Sequence, residues 1–68
     1  MMNEITESQA QALAKAMGCY IGRSKNGIVF WYVNEPKLLT TGYRAVDSLY
    51  GQLPVEVDAP GVWLWRPE

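Results

Sequence analysis

Sixty-eight residues suffice for one domain and not for two. A single cysteine and no histidine exclude an internal disulfide and a four-ligand Cys/His zinc site. Six basic residues against seven acidic ones leave a net charge of −1, without the basic excess that nonspecific nucleic-acid binding requires.

The first element in the chain is a helix. Thr6 is placed to cap it and Gln9, three residues on, completes a capping box, with Ile5 and Ala10 at the staple positions. Glu7 sits in the first turn, where the helix dipole favours an anion. Ala10, Leu13, Ala14 and Met17 recur on one face as an apolar stripe. Gly18 supplies the stop. An alanine-rich stripe lets whatever packs on it approach closely.

A hairpin follows. Cys19–Lys25 and Ile28–Asn34 flank Asn26-Gly27, a dipeptide that suits a type I′ turn with positive φ at both central residues. A two-residue loop there sets Arg23 opposite Phe30, Ile21 opposite Tyr32 and Gly22 opposite Trp31. Glu35-Pro36 ends the second strand, because proline cannot donate to a ladder.

Thr40 or Thr41 then caps an expected second helix, roughly 42–50, with Tyr43, Val46 and Tyr50 on its inner face and Arg44, Asp47 and Ser48 outward. Leu53, Val55 and Val57 alternate with polar residues as an edge strand does. Ala59-Pro60-Gly61 has the residues of a type II turn. Val62–Trp65 alternates again, which suggests a second hairpin. The fold class expected is therefore a single α+β domain over residues 1–68: helix, β-hairpin, helix and C-terminal hairpin, an antiparallel sheet with helices on one face.

The chemistry available is narrow. Without histidine there is no base for a Ser-His-Asp or Cys-His arrangement. The glycines are scattered and form no phosphate-binding loop. Cys19 follows a helix C-terminus, whose partial negative charge does not favour a reactive thiolate, so it reads as a small apolar side chain. No catalytic residue, cofactor, metal or small-molecule substrate is expected. The segment Met1–Ser8 is polar and acidic, and the longest apolar run is Ile28–Val33, far short of the ~20 residues a membrane helix needs. A cytoplasmic location and no membrane association are the expectation.

A core this small supplies only about 3–5 kcal/mol, so association with another molecule is the stabilising route left open. Three Trp, four Tyr and one Phe offer contact surface. The anticipated register places Arg23, Lys25, Phe30 and Tyr32 on one exposed strand face, and Trp63, Trp65 and Arg66 form a second candidate patch. Tyr, Trp, Phe and Arg are enriched at protein interfaces. These residues point to a non-enzymatic protein-binding module (an adaptor, inhibitor or accessory factor) or to self-association as a homodimer. The alternative is a small regulator that stacks single-stranded bases on aromatic rings. Asn26–Val33 resembles the aromatic RNA-binding strand of an RNA-recognition motif, though it lacks that family's Gly-aromatic-Gly core and the chain lacks its full set of elements.

Overall fold

The computed structural model describes residues 3–68; Met1 and Met2 lie outside the described residues. The elements run β1 (Asn3–Ile5), α1 (Glu7–Met17), β2 (Tyr20–Arg23), β3 (Val29–Tyr32), β4 (Lys37–Leu38), β5 (Tyr43–Arg44), β6 (Tyr50–Gln52), β7 (Val55–Val57) and β8 (Trp63–Trp65). One helix and several antiparallel strands make a small mixed α+β domain.

Helix α1 forms as its sequence dictates. The Thr6 side chain accepts from the Gln9 backbone N–H, and the Gln9 side chain accepts from the Thr6 N–H. At the other end Gly18 adopts φ +66°, and the Gly18 and Cys19 N–H groups return to the Lys15 and Ala14 carbonyls. Ala10 and Ala14 are fully buried. They pack with Ile21, Val29, Val57, Ala59 and Trp65 in one core on the helix side of the sheet.

That sheet is antiparallel, four-stranded and ordered β6-β3-β2-β8. The β2–β3 pairing differs from the expected register by one position: Tyr20 faces Tyr32, Ile21 faces Trp31, Gly22 faces Phe30 and Arg23 faces Val29. The cause is the turn. The Ser24 N–H donates to the Ile28 carbonyl and the Gly27 N–H to the Ser24 carbonyl, so the loop is Lys25-Asn26-Gly27. Gly27 has φ +89°, whereas Asn26 has no positive φ. This is a turn closed by a left-handed glycine, the three-residue alternative to a type I′ loop. The Ser24 hydroxyl holds it by donating to the Asn26 side-chain carbonyl.

The second helix expected over 42–50 does not form. Tyr43 and Arg44 pair with β4 instead, and Tyr50 opens the edge strand β6. Asp47 bonds the Leu49 N–H two residues on, a local turn that competes with helical bonding. So short a segment also gains little against the cost of helix nucleation. The expected C-terminal hairpin is replaced as well. Both of its strands exist, but β7 pairs in parallel with β1 and β8 pairs with β2. Gly61 between them is left-handed at φ +68°. No helix among the described residues is long and apolar enough to cross a membrane.

Candidate functional site

Side chains alternate across a sheet, so the register sorts them. One face carries Ile21, Arg23, Val29 and Trp31 with Trp63 and Trp65, and it meets α1. The other carries Tyr20, Gly22, Phe30 and Tyr32 with Tyr50 and Gln52. Arg23 therefore lies on the opposite face from Phe30 and Tyr32, and the contact patch expected from the three together does not exist. The slip in register is the physical reason.

The segment containing β4 and β5 reaches the second face. Gly22 leaves the space for this: a Cβ there would stand 3.0 Å from Tyr32 Cε2 and 3.4 Å from Tyr43 Cδ2. The Tyr32 hydroxyl donates to the Tyr43 carbonyl at 3.4 Å, and Tyr32 is only 4% exposed. Its phenol is pushed above the ordinary 10.0, first by burial and then by the neighbouring Tyr50 phenol.

Beside this contact a groove of about 350 Å³ stays open, lined by Phe30, Tyr32, Tyr43 and Tyr50 and by the exposed Arg44 and Asp47. The Phe30, Tyr32 and Tyr50 ring centroids stand 6.3 Å apart in all three pairings. Tyr32 and Tyr50 lie within 19° of parallel. Tyr50 is 47% exposed. Val33 and Leu49, both exposed, extend the β3–β6 pairing by one position through a backbone hydrogen bond of 3.1 Å.

Asp47 is already engaged. One oxygen accepts from the Asn34 side-chain amide at 2.6 Å and the other from the Leu49 N–H at 2.9 Å. Arg44 stands directly across from Lys37 in the β4–β5 register. Both are exposed, and neither has an ion-pair partner among the described residues.

The remaining anticipated residues scatter. Arg23 is half-buried and donates to the Ser24 carbonyl at 3.2 Å and to the Gly61 carbonyl, so it ties β2 to the turn before β8. Lys25 sits at the hairpin tip beside a wider hollow of about 610 Å³, whose walls include Ile28, Leu39 and Tyr43. Trp65 is 3% exposed and belongs to the core, while Trp63 is 49% exposed with its ring centroid 6.5 Å away. Arg66 pairs with Glu35 at 3.1 Å and lies 5.9 Å from the Tyr20 ring centroid. The hydrogen bond to Glu35 holds its guanidinium still more firmly protonated. Cys19 is half-buried.

Sequence reasoning assigned Tyr43 and Tyr50 to the buried side of a helix and Arg44 to its outer side. Their seven-residue spacing fits a helix face as well as two separate strands, so periodicity alone could not have placed them in a groove. No three Cys, Asp or Glu side chains among the described residues form a metal-ligand set. Comparison with protein families, with characterised proteins and with solved structures finds no match to this chain.

Proposed function

We propose that this chain is a non-enzymatic protein-binding module whose contact surface is the Phe30–Tyr43–Tyr50 groove together with Lys37 and Arg44. The observation that carries this reading is the groove itself: aromatic rings, one of them half exposed, with Arg44 and Asp47 on its wall and Lys37 across the ladder from Arg44, neither cation having an ion-pair partner among the described residues. Partly exposed tyrosine and arginine beside an apolar patch are the composition of a protein-recognition surface. The absence of histidine from the sequence supports binding over catalysis. The module would act by occupying or bridging its partner.

The experiment is affinity capture from the native cell with wild-type, Tyr50→Ala and Arg44→Ala proteins, with the fold of each checked by amide NMR. Both variants should keep the native spectrum and lose the partner. Undiminished capture by both would remove the groove as the contact surface. A sedimentation series with the same variants covers the case in which the partner is a second copy.

A further inference from the structure

We infer that the hollow between the β2–β3 turn and the end of the β4–β5 hairpin binds a small amphipathic carboxylate, an aliphatic chain with one anionic head. This goes beyond the protein-binding reading and uses a different surface. Tyr43 is the one residue that lines both the hollow and the groove.

Two loops build the hollow. The Lys25 N–H donates to the Thr41 carbonyl at 3.1 Å, and the Leu39 N–H donates to the Gly42 carbonyl at 2.7 Å. Gly42 lets the loops meet, since a Cβ there would stand 3.0 Å from Ser24 Cβ and 3.2 Å from Ser24 Cα. The Ser24 hydroxyl in turn holds the β2–β3 turn through Asn26 and the Ile28 carbonyl. The walls are therefore tied together before any ligand arrives. The space beside the contact measures about 610 Å³. That is within the ~300–1,000 Å³ of small-molecule sites.

The lining selects the ligand. Ile28 and Leu39 are 38% and 44% exposed, and with Tyr43 they give the hollow its apolar walls. An aliphatic chain laid against them takes apolar surface out of water. Lys25 is the single charged side chain in the lining; it is exposed and has no ion-pair partner among the described residues. No carboxylate lines the hollow, whereas Asp47 stands with Arg44 in the groove. An apolar body with one negative charge complements this lining. A cationic amphiphile meets repulsion from Lys25, and a polyanion finds one cation only.

The test is an amide NMR titration of the full chain with octanoate as probe, beside octanol, octylamine and hexanoate. Octanoate should shift the amides of Lys25, Ile28, Leu39 and Tyr43 and saturate in the millimolar range, as suits so small a ligand. Octanol should bind about fivefold more weakly, the loss of one exposed ion pair, and octylamine more weakly still. Hexanoate, shorter by two methylenes, should bind about tenfold more weakly. Lys25→Glu should keep the native spectrum and reverse the order of octanoate and octylamine. Leu39→Ser should weaken both. Equal binding of octanoate and octylamine by the wild type, no saturable shift, or shifts centred on Phe30 and Tyr50 overturns the inference. So does binding of a short peptide with a C-terminal leucine in place of octanoate, which would assign the hollow to a partner's chain end. Lys25→Glu should capture the protein partner as the wild type does, so this inference and the groove reading fail separately.

Discussion

The indole of Trp31 packs against the backbone of Gly51, its partner across the β3–β6 ladder, so closely that a Cβ at Gly51 would stand 2.7 Å from Nε1 and 2.8 Å from Cε2 and Cζ2. Aromatic rings cover strand glycines because nothing else fills the space. Pairing of a ring with a glycine was expected from the hairpin alone, with Gly22 as the partner; the glycine that Trp31 covers belongs to a different strand.

Gly51→Ala should therefore destabilise the fold by about 1–3 kcal/mol, the usual range for overpacking against a side chain that cannot give way. Adding Trp31→Phe should recover part of the loss, visible as non-additivity in urea unfolding. An unchanged urea midpoint for Gly51→Ala would contradict the contact.

The turn makes a separate prediction, because the two possible loops weigh their residues differently. With φ +89° at Gly27 and no positive φ at Asn26, Gly27→Ala should cost about 1–2 kcal/mol. Asn26→Ala loses only its hydrogen bond with Ser24, about 0.5–1.5 kcal/mol. A type I′ turn would penalise both backbones, so an Asn26→Gly protein clearly more stable than wild type would indicate that loop instead.

The two C-terminal tryptophans should behave unlike each other. Trp65→Ala removes a nearly fully buried ring and should cost about 3–5 kcal/mol, comparable with the whole stability of so small a domain. Trp63→Ala removes a half-exposed ring and should leave a cooperative unfolding transition within about 1 kcal/mol of wild type. Thermal unfolding followed by circular dichroism distinguishes them. Similar losses for both would mean that the rings act as one unit.

Alkaline pH should expose Tyr32. Its phenol pKa is raised in the folded state above the ordinary 10.0, so the folded chain holds that proton more tightly than the unfolded chain does. The resulting stabilisation is complete below about pH 10 and is lost as pH rises through the folded value. Phenolate absorbance should show a late-titrating component in wild type that Tyr32→Phe lacks. The variant should lose less stability than wild type between neutral and strongly alkaline solution.

What the sequence determined by itself is what neighbouring residues decide among themselves. Thr6, Gln9 and Gly18 bound a helix through bonds spanning three to five positions, and α1 formed between them. Asn26-Gly27 marked the segments around Ile21 and Phe30 as strands, and alternation marked those around Val55 and Trp65, since both signals are local to the chain. Tertiary structure decided which strand lies beside which. Asn26-Gly27 is compatible with two loops one residue apart, and that single residue moved Arg23 away from Phe30 and Tyr32. The 42–50 segment has both a helical spacing and strand-forming tyrosines. Pairing with β4 and β3 resolved the choice, because ladder bonds to an existing sheet outweigh a helix too short to repay its nucleation. The candidate groove belongs to this second category. Phe30 and Tyr32 were expected on an exposed contact face, but Tyr32 is buried, and Tyr43, Arg44 and Tyr50 come beside them only through pairings between segments distant in the chain.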